Sequence, residues 1–436
     1  MELATAVSDG ETSYRLGRRW RLAIRPIALS LDQVLLLVCM ALLGIGVLMT
    51  QSANARVGMQ SHDWIKAFFV NPEGVHAAIA VLAMFVFWRL DYRRLLGPGL
   101  ISSVTTYLVV AAVVLLALVL THLGADINGA RRWLVVRLGG HRISFQPSEL
   151  AKWSLVMFMA AYAVHKAGVI TDFFRGFLPL VAVMGFLCLL ILKEDFGTTV
   201  LIGGVCMVML LMAGCRWWHV ALLVPVLAVV AYFAILSNPY RLERLMVFMH
   251  PHADPKGAGY NPIQSLLSFA SGGIGGRGLG NGIQKMGYLP EDSTDFIFSL
   301  IAEELGFFGC MVVVLLYVTL TVAGWRIATR AEDLFGKMIA FGVTAMVSLQ
   351  AAMNIAVVTV TVPTKGIALP LISSGGTGWI LTCAAVGVMM SVERVSRLEG
   401  AGLSGAVPDW SGSQTPSSLP LRPVGSHSPS VAKGVA

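Results

Sequence analysis

Apolar residues run along this chain in long blocks rather than in alternation. Ten blocks stand out, at about 31–50, 75–88, 100–121, 148–164, 177–192, 198–213, 220–236, 296–322, 338–360 and 379–392. A bilayer-spanning helix takes about 20 apolar residues, so the pattern predicts about ten transmembrane helices, with the ends of the shorter blocks least well defined. An even number of spans returns the chain to the side on which it started. The first 30 residues carry Arg15, Arg18, Arg19, Arg21 and Arg25, and the positive-inside rule places such a start in the cytoplasm. The stretches then assigned to the cytoplasm hold 16 Lys and Arg in 77 residues, against 13 in 135 outside, about a twofold difference in density. The 13 outer cations fit an anionic ligand or lipid phosphates equally well.

The polar stretches are uneven. The outer loop 237–295 is far longer than a connector needs to be. Within it Tyr260–Ala270 reads as a short amphipathic helix, and Gly272–Gly282 contains seven glycines in eleven residues. Residues 401–436 hold 8 Ser, 5 Pro and 5 Gly, the composition of a flexible tail. The chain therefore divides into a cytoplasmic tail, 1–30, a membrane core, 31–398, and a second cytoplasmic tail, 399–436. The fold class expected is an all-α integral membrane protein with both termini inside and its large outer loop between spans seven and eight.

Composition narrows the choice. Hydrophobic residues make up 56 % of the chain and charged ones only 13 %, about half the charge of ordinary soluble domains, so soluble and disordered readings are excluded. The six cysteines sit in or beside apolar blocks without a CxxC pair, which indicates neither a disulfide framework nor a zinc ribbon. The N-terminal 30 residues lack the short apolar core and small-residue cleavage site of a signal peptide, so the first block is expected to be a retained span. No internal repeat is visible, which weakens a transporter built from inverted halves.

Ionisable groups inside spans are costly and mark function by default. The eighth block holds Glu303 and Glu304, with Asp295 at its outer mouth. At about 100° per residue Asp295 and Glu303 fall within about 80° of one another and can face one cavity, while Glu304 points elsewhere and needs its own partner. Both glutamates read somewhat more readily as structural hydrogen-bonding groups between helices. Gln350 and Asn354, four residues apart on the ninth block, read more readily as interhelical bonds than as substrate contacts. Residues 361–378 bring Pro363, Lys365, Gly366, Pro370, Ser373, Ser374, Gly375 and Gly376 to the membrane surface, and irregular backbone is tolerated there only beside a wet cavity or protein. The loop around 128–152 adds Arg131, Arg132, Trp133, Arg137, Arg142, Glu149 and Lys152. Arginine grips phosphate bidentately and tryptophan packs on sugars, although a snorkelling Arg and belt Trp look the same in sequence. Gly273, Gly275 and Gly278 spell GxGxxG without the strand and helix of a dinucleotide fold. His250, His252 and Asp254 lack a fourth metal ligand. Neither a GxSxG nor a Walker A sequence is present.

The string NPIQSLLSFASGGIGGRGLGNGIQKMGYLPEDSTDFIFSLIAEELGFFG at 261–309 closely resembles the SEDS family, polytopic glycosyltransferases of bacterial cell-wall synthesis. So do NGARRW at 128–133, QPSEL at 146–150, EDFGTT at 194–199 and PTKGIALPLISSGG at 363–376, in family order through nearly the whole core. GLGNGIQK and PTKG are similar to the division-type branch, with the elongation-type branch as the alternative. Two departures stand out: Ser293-Thr294-Asp295 replaces the commoner HTD, and Met286-Gly287-Tyr288-Leu289-Pro290 replaces an acidic LEYLP variant. The resemblance implies that Asp295 is the essential acid and that Lys365, Arg132, Glu149 and Asp195 surround the outer cavity. Trp133, Gln264, Lys285, Glu291, Ser373 and Ser374 fall in or beside the matched segments and join them as substrate-binding candidates. It further implies lipid II and its polyprenyl-pyrophosphate-linked glycan as substrates, an optional divalent cation, Mg or Mn, and a class B penicillin-binding protein as partner. Other division proteins would join them at the septal cytoplasmic membrane, with no nucleic acid involved. A lipid II flippase and a pure scaffold are the rival classes. A flippase needs polar groups through the whole membrane depth, and spans two, three and seven are almost wholly apolar.

Overall fold

The computed structural model describes residues 29–54, 72–121, 123–127, 130–138, 141–250 and 253–400. Nearly all of the N-terminal tail 1–30 and residues 401–436 of the C-terminal tail lie outside the described residues. The architecture is mainly helical: α1 (Leu31–Asn54), α2 (Pro72–Arg89), α3 (Val104–Val119), α4 (Pro147–His165), α5 (Leu178–Leu192), α6 (Phe196–Met212), α7 (Trp217–Leu236), α8 (Pro239–Met249), α9 (Tyr260–Gly272), α10 (Ile297–Arg330), α11 (Leu334–Val358) and α12 (Thr377–Gly400). Among the described residues six helical stretches are long and apolar enough to cross a membrane: Leu31–Asn54, Phe173–Leu192, Trp217–Leu236, Ile297–Arg330, Leu334–Val358 and Thr377–Gly400. Helices α3 and α6 are apolar but shorter.

Helix α4 is the hub. Every residue from Ala151 to Ala163 is buried, as expected of a helix apolar on all sides, and α3, α11 and α12 pack around it. Helix α7 is the opposite case, with Val220 its one buried residue; its apolar surface suits contact with lipid. At the ends of α1, α2 and α12 remote from the cavity described below, Arg397 pairs with Asp32 at 3.2 Å and Arg93 with Glu399 at 2.5 Å.

Two features depart from the sequence expectation. Residues within 124–145 form a small antiparallel sheet, β1 (Gly124–Ile127), β2 (Ala130–Leu138) and β3 (His141–Phe145), in the order β1-β2-β3. Its register sets Ala125 opposite Trp133 and Leu134 opposite Phe145. The all-α expectation thus holds for the membrane core and not for this loop, whose strands are too short to outweigh the surrounding helical periodicity.

The second departure lies in α10, which breaks at Gly306 (φ 66°, ψ −162°). The glycine-rich loop fills the break. Arg277 N and Gly278 N donate to the carbonyls of Glu303 and Glu304 at 3.0 and 2.9 Å, and Phe307 N donates to Gly273 O at 3.0 Å. Helix ends need such outside partners for their orphan groups. A Cβ at Gly276 would strike the Glu304 carbonyl and one at Gly272 the Ala302 carbonyl, so close backbone approach accounts for two of the glycines.

Hydrogen bonds fix the direction of the piece before the break. Asn354 Nδ2 donates to Asp295 O at 2.8 Å, Ser265 links Ser299 Oγ to Val358 O at 2.7 and 2.6 Å, and Ser52 Oγ donates to Glu304 at 2.8 Å. Residues 295–304 therefore rise parallel to α11. Beyond the break α10 runs antiparallel to α11, with Thr321 bonded to Ser348 at 2.7 Å and Gly324 against Thr344. Asp295 consequently lies about 13 Å deeper along α11 than the glutamates, at 1.5 Å per residue, the reverse of the order that a single straight span implies.

Candidate active site

A cavity of about 1360 Å³ opens among α2, α4, β2, α6, α8, α12 and the segment 363–376. Asp295 stands in its wall, brought there by two irregular segments stitched together. Asn354 Nδ2 bonds the carbonyls of both Asp295 and Ile367, at 2.8 and 2.7 Å. Ser373 Oγ donates to Thr294 O at 2.5 Å and accepts from Leu369 N at 2.7 Å, and Ser374 N donates to Ser293 O at 2.9 Å. Both segments carry non-glycine residues at positive φ, Glu291 (58°) and Leu371 (65°), conformations that persist only where surrounding structure enforces them. Gly366 lies directly against the carboxylate: a Cβ there would sit 2.8 Å from Asp295 Oδ2 and 4.0 Å from Arg132 Nη1.

Cations gather around this carboxylate at one end of the cavity. Strand β2 holds Arg132, whose Nε donates to Glu194 O at 2.9 Å. Lys365 Nζ lies 5.0 Å and the Arg241 guanidinium 5.4 Å from the Phe196 ring centroid, so both make cation–π contacts with one aromatic ring. Arg241 also donates to the carbonyls of Leu192 and Ala234, at 2.9 and 3.0 Å, and Arg244 donates to Thr364 O at 3.2 Å and to the Tyr240 hydroxyl. Asp195 caps α6, accepting from Thr198 N at 2.9 Å and Thr198 Oγ1 at 2.8 Å.

This crowding tunes the titrating groups. Burial first, then the charges of Glu291 and Asp195, push the Asp295 carboxyl up to about 7 against the pull of Arg132 and Arg244. Burial lowers Lys365 from its ordinary range, with Asp195 opposing. Arg241 is lowered by burial and by its neighbour Arg132. A carboxylate poised near neutrality beside fixed cations can accept a proton while the cations hold a developing anion.

The cavity gathers Asp295, Lys365, Arg132, Trp133, Glu149, Asp195, Glu291, Ser373, Ser374 and Gln350. Glu149 is engaged by Lys152, at 2.9 and 2.8 Å to its two oxygens, and Lys152 also donates to Gln350 at 2.9 Å. Asn354 sits behind the wall as a backbone clamp. Gln264, Lys285, Glu303 and Glu304 do not line the cavity. Gln264 lies on α9, its carbonyl accepting from Ser268 at 3.0 Å. Glu303 accepts from Ile283 N and Gln284 N at 2.9 and 3.1 Å, and Glu304 from Lys285 Nζ at 2.9 Å and Gly280 N at 3.0 Å. The glutamates thus pin the glycine-rich loop, which consumes the Lys285 ammonium. Of the weak metal trio, His252 lies outside the described residues.

The sequence reading missed Arg241 and Arg244. Their spacing of three, after Asn238 and Pro239 at the start of α8, carries the signal of one helix face bearing two guanidiniums. It also missed Lys193, Glu194, His76 and Trp379 as cavity residues.

The comparisons agree with the motifs. A family model described as "Cell cycle protein", covering FtsW, RodA and SpoVE, matches residues 33–398. The "Probable peptidoglycan glycosyltransferase FtsW" of Geobacter metallireducens is 37% identical over 372 residues, covering 85% of this chain and 96% of that one. "Stage V sporulation protein E" of Bacillus subtilis is 38% identical over 368 residues, covering 84% and 98%. Among solved structures, the chain is similar to one described under "Structural coordination of polymerization and crosslinking by a peptidoglycan synthase complex" (TM-score 0.63, 27% identity, 83% of this chain and 97% of that one). It is also similar to the rod shape determining protein RodA of Thermus thermophilus (TM-score 0.55, 25% identity, 83% and 95%). The chain belongs to the FtsW, RodA and SpoVE family of cell cycle proteins.

Proposed function

We propose that the chain is a peptidoglycan glycosyltransferase that polymerises lipid II at the outer face of the bacterial cytoplasmic membrane. The observation that carries the reading is Asp295, raised to about 7, in one cavity with Lys365, Arg132, Arg241 and Arg244. In the reaction a sugar hydroxyl of one substrate attacks the anomeric carbon of the other. The new glycosidic C–O bond forms as the bond to pyrophosphate breaks, and that electron pair leaves on the pyrophosphate oxygen. Asp295 takes the hydroxyl proton. The four cations hold the leaving group, which is already acidic and needs no second catalytic carboxylate, unlike the leaving group of a glycosidase.

The names of the relatives support this activity, and the frequency of FtsW among them supports a septal role. In this reading ten helices, α1–α7 and α10–α12, cross the membrane with both termini cytoplasmic. A class B penicillin-binding protein supplies cross-linking, in line with the synthase complex among the structural neighbours, and other division proteins join them. Among the described residues no three His, Cys, Asp or Glu side chains gather as ligands, so an optional Mg or Mn ion would draw its ligands from the substrate pyrophosphate and one or two carboxylates, and no step is assigned to it.

The test is polymerisation of purified lipid II by the reconstituted protein with a partner transpeptidase lacking its own catalytic serine. Glycan chains from wild type, and none from folded Asp295→Ala, are expected. Equal chains from both would remove Asp295 as the base. Transfer of lipid II across vesicles with no chains from either would replace the enzyme with a flippase.

A further inference from the structure

Lys152 stands in the cavity wall on α4, yet it is 1% exposed and its donors are spent. Its Nζ meets Glu149 Oε1 at 2.9 Å, Glu149 Oε2 at 2.8 Å and Gln350 Oε1 at 2.9 Å. An ammonium has three donors and no acceptor, so this one has nothing left to offer a substrate. Its effect falls on Gln350, whose other end, Nε2, donates to Ala368 O at 2.8 Å. One turn further along α11, the buried Asn354 donates from Nδ2 to Ile367 O at 2.7 Å and to Asp295 O at 2.8 Å. The sequence suggests these two amides as bonds between helices. They instead bond a helix to irregular backbone, gripping two consecutive carbonyls of the segment 363–376. Those carbonyls directly follow Gly366, the residue that lies against the Asp295 carboxylate.

We propose that Lys152 is a positioning residue: it locks the orientation of the Gln350 amide, and through it the wall of the cavity against Asp295, and does not bind the substrate's phosphates. A side-chain amide is an acceptor at one end and a donor at the other, in nearly the same shape. Gln350 can hold Ala368 only with Nε2 towards that carbonyl; turned over, it would set one oxygen against another. A donor-only neighbour decides which way it sits, because the ammonium accepts Oε1 and repels Nε2. Glu149 holds the ammonium in place through both of its oxygens. A chain of contacts thus runs from Glu149 through Lys152, Gln350 and the 367–368 carbonyls to Asn354 and the backbone of Asp295. For its effect on rate the proposal rests on the glycosyltransferase reading.

The test uses the full chain with the transpeptidase lacking its serine, and compares Lys152→Met, Gln350→Met, Gln350→Glu and the double variant of Lys152→Met with Gln350→Met. On lipid II each single variant is expected to lose about tenfold to a hundredfold in kcat, the scale for a reacting group displaced by up to about 1 Å, with KM unchanged. Gln350→Glu separates a lock from a plain ion pair: it keeps an acceptor for the ammonium and removes the donor to Ala368, so it should fall with Gln350→Met. The double variant should be no slower than the slower single one, since a residue that acts through another adds nothing once that other is gone. A raised KM in Lys152→Met, losses that multiply in the double variant, or wild-type turnover in Gln350→Glu overturns the lock. Hydrogen exchange of residues 363–376, followed by mass spectrometry on folded protein, reads the same proposal without turnover and should quicken in every variant. Unchanged exchange in Lys152→Met and Gln350→Met overturns the lock even where wild type polymerises lipid II. Quickened exchange in a protein that makes no polymer upholds the lock and refutes the glycosyltransferase reading.

Discussion

Gly366→Ala adds one methyl group at the most sensitive point of the cavity. The new Cβ would lie 2.8 Å from Asp295 Oδ2 and 3.7 Å from its Cγ, whereas carbon and oxygen in ordinary contact stand some half an ångström further apart. The backbone cannot yield easily, because Asn354 bonds the neighbouring Ile367 carbonyl and the Asp295 carbonyl together. The carboxylate must therefore turn away by about 0.5 Å. A 1 Å misplacement of a reacting group costs on the order of 100-fold, so the expected loss in polymerisation rate is about tenfold or somewhat more. Gly366 has no positive φ, so the alanine adds no backbone strain and thermal stability should hold within about 1 kcal/mol. The control is Gly375→Ala in the same segment, whose Cβ would meet Ser373 O at an ordinary 3.6 Å. The assay is glycan-chain length and initial rate on lipid II for both variants, beside detergent melting curves. A fully active Gly366→Ala, or equal losses in the two variants, would refute the placement of the reacting hydroxyl beside Asp295.

Three further outcomes are expected. With Asp295 titrating at about 7, the ionised base is lost as pH falls, so log rate should climb one unit per pH unit below about 7 and level off above it. Arg244→Leu removes a charge that lowers this value, so the inflection should move up in pH-rate measurements; a flat profile between pH 5 and 8 would exclude a titrating base. Lys285→Met leaves the Glu304 carboxylate, 0% exposed, without its ammonium, which should cost about 3 kcal/mol in unfolding, with Glu304→Gln recovering much of it in the double variant. If the double variant is no more stable than Lys285→Met, the pair is not the anchor of the loop. Ser373→Ala should lower the rate several-fold and leave lipid II binding intact, since the hydroxyl ties Thr294 to Leu369 and touches no reacting atom; a raised KM with normal turnover would contradict that role.

Much of the site was legible because it lies in short irregular segments of unusual composition. Lys365, Gly366, Ser373 and Ser374 stand out where a span should have ended, and their segment lines the cavity beside Asp295. For Glu303 the reading as a structural hydrogen-bonding group holds, since it accepts from Ile283 N and Gln284 N, while the alternative of one cavity shared with Asp295 fails because two helical turns, about 12 Å at 1.5 Å per residue, separate the two along the axis. Nothing local announces that residues 295–304 climb before the chain turns back at Gly306. Glycine tolerates positive φ, but so do many glycines that break nothing. Arg241 and Arg244 were hidden by treating 237–259 as loop. Trp379 and His76 carry no pattern of their own, since an aromatic at the start of an apolar helix reads as a membrane-interface residue, and only packing turns them toward the cavity.

The glycine-rich stretch filling the gap in α10 also decides where this protein tolerates insertions. Outer loops are the customary places for an epitope tag, a fluorescent domain or a labelling cysteine with its linker. Residues 272–282 look ideal for one by composition, yet their backbone completes the hydrogen bonding on both sides of Gly306. A tag placed there would pull out the splint that holds residues 295–304 upright and so displace Asp295 from a distance. A reporter that abolished activity when inserted at this loop would say nothing about exposure of the loop, only that a structural joint had been opened.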